Sequence, residues 1–279
     1  MRLANRSGRL MLATSDEFVD VATASNGRFG PDPQSVYETW DRFCDWAASA
    51  KLPAGDELAL EALGPPVPQP RQVFAVALNY IEHAVEGGFT PPDEPLIFTK
   101  FPTCLTGPVA EVALPTAQVD FEAELVCVIG RVAEHVDEAD AWAHVAGLTV
   151  GQDLSARDVQ LRGPAPQYSL GKSFRGFGPT GPWVVSTDEH GLTGELEIES
   201  VLNGERMQHD TTASMIFSIP VLIAYISAIC PLLPGDLIFT GTPSGVGFKR
   251  SPPRYLEAGD TLVSRISHIG EITQRLRAA

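Results

Sequence analysis

The stretch Asp120-Phe121-Glu122-Ala123-Glu124-Leu125-Val126-Cys127-Val128-Ile129-Gly130 decides how the rest of the chain is read. Its apolar run is strand-like, and a strand turns successive side chains to opposite faces. Glu122 and Glu124 therefore share a face that Val126 and Val128 continue, while Phe121, Ala123 and Leu125 take the other. Two carboxylates side by side at the head of an apolar strand repel each other and lose solvation. A proton, a cationic side chain or a metal ion must then compensate them. An exposed strand end with two solvated glutamates has the same spacing, and spacing alone does not choose between the two. Asp120 reads as a strand-start residue rather than a ligand.

Outward from this strand, 279 residues suffice for one large domain, or one with a small appendage. With 44% hydrophobic and 20% charged residues, the chain is that of a soluble globular protein able to bury a core. The 25 glycines and 23 prolines, spread throughout, favour many turns and short strands over a helical bundle. A net charge of −15 argues against nucleic acid and anionic membranes as partners. It also means that an anionic ligand needs a local positive site, from a metal or a lysine. The four cysteines, Cys44, Cys104, Cys127 and Cys230, form no CxxC pair and read as reduced thiols of a cytoplasmic protein. Residues 211–235 carry no charge and nearly reach the length of a membrane span. Pro220, Pro231 and Pro234 interrupt them, and Asp210 and Asp236 flank them without a nearby Lys or Arg. A buried helix over 218–228 is expected instead, with Ser218 at its N-cap and Pro220 in its first turn.

Residues 1–64 read as a small α+β domain, with strands at 9–14 and 18–23 around a turn. A helix is expected at 35–50, where Val36, Trp40, Phe43 and Ala47 recur at three- and four-residue spacing. Residues 65–72 form a stiff Pro-rich linker. Residues 73–279 form a second, strand-rich domain. Its strands are expected at 73–78, 96–100, 109–113, 120–130, 147–153, 183–186, 196–202, 207–209, 237–240, 262–266 and 269–276, with a helix at 137–146. Asn203-Gly204 marks a hairpin.

Candidate chemistry sits between these elements. His83 and Glu86 share a face if Asn79–Gly88 turns helically, and a carboxylate beside an imidazole fixes its tautomer and raises its basicity. An exposed surface pair has the same spacing. The glycines that follow give such a segment the mobility of a lid. Asp153 ends a strand. Lys172 stands among apolar and small residues, where an ammonium needs anionic company. The Gly241–Gly247 loop lacks the lysine spacing of a phosphate loop and reads as close backbone approach to a small ligand, or as a turn.

In order along the chain, Ala77-Leu78-Asn79-Tyr80 with His83, Phe98-Thr99-Lys100 with Gly107-Pro108, Asp120–Leu125, Gly151–Asp158, Gly171-Lys172-Ser173-Phe174, Val201–Glu205 and Pro234-Gly235-Asp236 through Gly247 resemble the fumarylacetoacetate hydrolase family. The resemblance covers about residues 73–277. It implies an α+β, β-rich fold: a catalytic domain of rolled mixed β-sheet, a small variable N-terminal domain, and usually a homodimer. It makes Glu122, Glu124 and Asp153 ligands of one divalent ion, and oxygen-only ligands suit Mg2+, with Mn2+ or Ca2+ as alternatives. It makes His83 and Glu86 a water-activating pair on a lid, and gives Lys172 the developing enolate. Arg157, Gln160, Gly241 and Thr242 would contact substrate oxygens, although Arg157 could equally be a structural partner of a carboxylate. The chain departs from the family pattern at Arg175, Phe121 and the turn Gly163-Pro164-Ala165-Pro166.

The implied activity is hydrolysis of a carbon–carbon bond in a β-diketo or 2-oxo acid, an acylpyruvate or fumarylacetoacetate-like compound, in aromatic catabolism. Rivals within the family are oxaloacetate-type decarboxylation and isomerisation of a hydroxymuconate or hydroxyheptadienedioate. A rival of another class is a non-catalytic protein that binds metal and a 2-oxo acid. A base on a lid, which chelation does not need, argues against it.

Overall fold

The computed structural model describes residues 1–14, 17–189 and 191–279. Its central strand is Ala123–Ile129, shorter than the sequence pattern implies. The chain leaves the ladder at Phe121 and Glu122 because a side chain takes the backbone there: Glu122 N donates to Gln152 Oε1 at 2.9 Å. Asp120 falls instead in the two-residue strand Val119–Asp120, paired with Ser155–Ala156.

The central strand pairs antiparallel with Val145–Gln152 on one side and Leu237–Phe239 on the other. The sheet runs Phe18–Asp20, Arg9–Ala13, Arg2–Arg6, Gly178–Ser186, Val145–Gln152, Ala123–Ile129, Leu237–Phe239, Val73–Ala77, Leu96–Thr99. Both of its faces are covered, which explains the unbroken apolar run. Leu125, Cys127 and Ile129 join one core with Ile219, Leu222, Ile223 and Ile226. Those four belong to the helix Ile219–Ser227, so the charge-free stretch is a core helix as expected. Ser218 stands at its N-cap, but no capping hydrogen bond comes from its side chain. Among the described residues no helix is long and apolar enough to cross a membrane.

Val126 and Val128 face a second core shared with Tyr37, Trp40 and Phe43. Tyr37–Thr39 is a 3-10 turn leading into the helix Trp40–Ser49. The N-terminal residues, read from composition as a domain of their own, thus complete the same sheet: Arg2–Arg6 pairs antiparallel with Gly178–Ser186. The strand expected over 18–23 ends at Asp20, whose side chain accepts from Thr23 N at 2.9 Å and caps the short helix Val21–Ala24. The turn before it includes residues 15 and 16, which lie outside the described residues.

A second sheet runs Glu205–Thr211, Glu197–Leu202, Thr261–Ile266, Gly270–Ala278, Val109–Leu114. Its hairpin turns at Asn203 (φ 52°) and Gly204 (φ 86°), both left-handed, as Asn-Gly hairpins require. The stretch 137–146 is a 3-10 helix, Glu138–His144, rather than an α-helix.

Phe43 is fully buried between the N-terminal helix and the sheet. Phe43→Ala should lower unfolding stability by about 3–5 kcal/mol. Urea unfolding followed by tryptophan fluorescence and far-UV dichroism should give one coincident transition. Two separate transitions would show that residues 1–64 fold as an independent unit.

Candidate metal centre

Glu122, Glu124 and Asp153 converge beside the end of the central strand. One ligand oxygen from each lies within 4.8 Å of the others, and all three residues are buried. Glu124 keeps the strand's alternation. Glu122 reaches the same place from the break, and Asp153 from the end of the neighbouring strand, where its N–H donates to Glu122 O at 2.9 Å.

Three cations surround them. Lys172 Nζ donates to Glu122 Oε2 and Asp153 Oδ2, both at 2.6 Å, and to Ser155 Oγ at 2.8 Å. All three ammonium donors are thereby spent. No ammonium donor of Lys172 is left for a direct hydrogen bond to a ligand in this arrangement. Lys100 Nζ donates to Asp153 Oδ1 at 2.6 Å and to the carbonyl of Lys172. Arg157 Nη2 donates to Glu122 Oε1 at 2.6 Å and to Asp120 Oδ2 at 2.7 Å, while Nη1 donates to Gln160 Oε1 at 2.9 Å. Arg157 is thus the structural partner of two carboxylates, with four of its five N–H donors engaged. Gln160 lines the cavity with its carbonyl oxygen occupied, so its amide N–H2 is the group left for a ligand.

Burial raises the Glu122 carboxyl, but Lys172, Arg157 and His83 outweigh it and hold the group below the usual carboxylate range. Glu124 behaves oppositely. Burial, then Asp153 and Glu122, push its carboxyl well above the ordinary value. The hydrogen bond found for it among the described residues comes from Gly241 N at 2.8 Å. With Asp120 counted and all four ionised, the buried carboxylates exceed the three buried cations by one negative charge. An all-oxygen trio with a negative excess and one uncompensated carboxyl fits a hard divalent ion such as Mg2+ or Mn2+. The lysine contacts do not block it, because each carboxylate oxygen has a second lone pair.

The lid expectation has a counterpart in the helix Ile81–Gly87, which Gly88 ends in a left-handed conformation (φ 77°). His83 Nδ1 lies 3.4 Å from Glu86 Oε2. His83 lines one cavity with Glu122, Glu124, Lys172 and Thr242. Leu78, just before this helix, sits at φ 54°, a costly conformation for leucine. Asn79 holds it there: its side chain donates to Thr240 O at 2.7 Å and Phe217 O at 3.0 Å, and accepts from Phe217 N at 2.8 Å.

The Gly-rich loop binds the protein's own carboxylates. Gly241 N donates to Glu124, Gly245 N to Glu86 at 3.0 Å, and Gly247 N to Asp120 at 2.7 Å. At Gly241 (φ 95°) a Cβ would lie 2.7 Å from Asn79 Cβ, so this close approach requires glycine. Of the two loop residues assigned to substrate oxygens by the resemblance, Gly241 donates its N–H to Glu124, while Thr242 lines the cavity and its Oγ1 donates to Ala123 O at 2.7 Å and accepts from Gln208.

The family model for the fumarylacetoacetate (FAA) hydrolase C-terminal domain matches residues 72–277. The chain belongs to the fumarylacetoacetate hydrolase family. A Dictyostelium discoideum relative, fumarylacetoacetate hydrolase domain-containing protein 2 homolog, is 42% identical over 220 residues, covering 75% of this chain and 72% of that protein. Human mitochondrial oxaloacetate tautomerase FAHD2A is 41% identical over 232 residues, 82% of this chain and 74% of that one. Among solved structures, a Mycobacterium smegmatis protein provisionally named HpcE matches with TM-score 0.96 and 53% identity over the full length of both chains. Maleylpyruvate hydrolase from Sphingobium sp. SYK-6, solved with Mn2+ and pyruvate, matches with TM-score 0.79 and 28% identity, again over both full chains.

Within this family site, sequence reasoning missed three side chains. Asp120 is the anchor of Arg157 and of the Gly-rich loop, not merely the start of a strand. Lys100 closes an apolar strand and, like Lys172, signalled a buried ammonium needing anions. Ser155, which holds Lys172, carried no signal of its own. Arg175 is exposed and does not line the cavity.

Glu124 keeps its proton to higher pH than an ordinary carboxyl when no metal is bound, so a divalent ion must displace that proton. Calorimetric Mn2+ titrations in buffers of different ionisation heat should show proton release on binding. Apparent affinity should fall as pH is lowered through the range where Glu124 protonates. An affinity that does not weaken as pH is lowered toward the carboxylate range would contradict the assignment.

Proposed function

We propose that the chain catalyses metal-dependent proton transfer at the carbon beside the ketone of a small 2-oxo acid, interconverting its keto and enol forms. The observation that carries this is the His83–Glu86 pair, which shares a cavity with Glu122 and Glu124. Glu86 is fixed by Gly245 N–H at 3.0 Å, so it accepts the proton on His83 Nδ1 and leaves Nε2 as the basic nitrogen. A base with its tautomer set can remove a proton and return it, which is all that tautomerisation requires. Glu122, Glu124 and Asp153 would hold the divalent ion. When bound, that ion supplies a Lewis acid for the 2-oxo acid head and its enolate. Lys172 keeps a positive charge beside the developing enolate, and Gln160 offers its amide N–H2.

Cavity size supports a small substrate. Its volume is about 100 Å3. That is well below the roughly 300–1,000 Å3 of pockets that take drug-sized ligands. The tautomerase names of the relatives point the same way. Water activation by the same His83 to cleave an acylpyruvate is the second reading, favoured by the maleylpyruvate hydrolase likeness. It must fit an attacking water as well as a longer diketo acid.

Acetylpyruvate, oxaloacetate and a hydroxymuconate, each with and without Mg2+, separate these reactions. The expected result is Mg2+-dependent acceleration of the decay of oxaloacetate enol absorbance. His83→Ala should lower that rate by ~10²–10⁴-fold while metal still binds. Glu124→Ala should abolish the metal dependence. Cleavage of acetylpyruvate without acceleration of the oxaloacetate keto–enol step would replace the tautomerase reading with the hydrolase one. The homodimer implied by the family resemblance is also a proposal: light scattering should give twice the 30.0 kDa of one chain, and a mass of one chain would refute it.

A further inference from the structure

Four cationic or basic side chains line the cavity: His83, Arg157, Lys172 and Lys249. Lys172 has all three donors engaged, on Glu122, Asp153 and Ser155, Arg157 is ion-paired with Asp120 and Glu122, and His83 is paired with Glu86. Lys249 differs. Its ammonium donates to the carbonyl of Gly87 at 3.0 Å, at the end of the lid helix, and lies 4.6 Å from the centroid of the Phe248 ring. The opposite claim on that ring comes from the Arg157 guanidinium at 4.8 Å. Among the described residues Lys249 has no carboxylate within ion-pair distance. An ammonium has three donors, so two remain.

Charge balance says what they are for. The buried cluster carries Asp120, Glu122, Glu124 and Asp153 against Lys100, Arg157 and Lys172, four negative against three positive. With Glu124 ionised and a divalent ion bound, the remainder is +1, which one carboxylate of a 2-oxo acid head cancels. A second carboxylate in the same small cavity would be uncompensated, in a protein whose net charge is −15. Lys249 is the pocket cation left to meet it. Glu86 does not claim it, being bound to Gly245 N and His83.

Resting on the proposed 2-oxo acid chemistry, we infer that Lys249 is the specificity residue of this site: it binds the second carboxylate of a short dicarboxylic 2-oxo acid and selects it over the monocarboxylic analogue. Because the same ammonium holds Gly87 O, the bound carboxylate also sits against the end of the lid helix.

The test uses inert four-carbon ligands on the Mg2+-loaded protein: malate, with two carboxylates, and 2-hydroxybutanoate, with one. Calorimetry should show wild type preferring malate by about tenfold or more, the range of one charge-assisted hydrogen bond. Lys249→Met should collapse that preference, and Lys249→Arg should retain most of it. Absence of a preference in wild type, its survival in Lys249→Met, or an equal loss of affinity for both ligands would overturn the inference, the last by reducing Lys249 to a lid fastener. These titrations need no turnover. A malate preference in a protein that fails to accelerate keto–enol exchange would leave the subsite standing and overturn only the reaction.

Discussion

Seven charged side chains buried at the head of one strand set the terms for this structure: Asp120, Glu122, Glu124, Asp153, Lys100, Arg157 and Lys172. Burying charge is costly, and even well-paired ions in an interior are weak evidence for stability. Hydrophobic residues of similar volume would hold the sheet together at least as well. The arrangement makes sense only as a site, where ligand oxygens must be fixed before the ligand arrives. Each of Glu122 and Asp153 is held at both oxygens by different cations, so neither can swing away.

The Gly-rich loop extends that rigidity to the His83–Glu86 pair. Its backbone N–H groups, spaced over Gly241, Gly245 and Gly247, are given to Glu124 of the candidate metal trio, to the carboxylate behind His83, and to the anchor of Arg157. One short segment thus sets the relative position of three functional groups that lie far apart in sequence. Lys249 adds a fastening to the helix Ile81–Gly87 from the same segment. The loop, read from its residues as close approach to a small ligand or as a turn, is a brace for the protein's own acids.

The alternation Glu122, Glu124, Val126, Val128 was legible because it reflects backbone geometry alone, and the hairpin at Asn203-Gly204 was legible for the same reason. The break at Phe121 was not, because it depends on Gln152, 30 residues away, taking the Glu122 N–H. That break converts Asp120 from a neighbour in the strand into the anchor of Arg157. The N-terminal residues looked separate because a proline-rich segment follows them. Their aromatic face, however, finds Val126 and Val128 across the sheet, a contact no local pattern encodes. Lys172 and Lys100 show the limit on charges. A lysine in an apolar setting announces that it needs an anion, but not which one, nor that its donors will be exhausted.

The central claim is that Glu122, Glu124 and Asp153 hold one divalent ion. Anomalous diffraction from a crystal soaked in Mn2+ tests it most directly. The expected result is a single strong peak at coordination distance, about 2.0–2.6 Å, from an oxygen of each of the three. A peak elsewhere, or none at this position in a crystal that binds Mn2+ at another site, would contradict it.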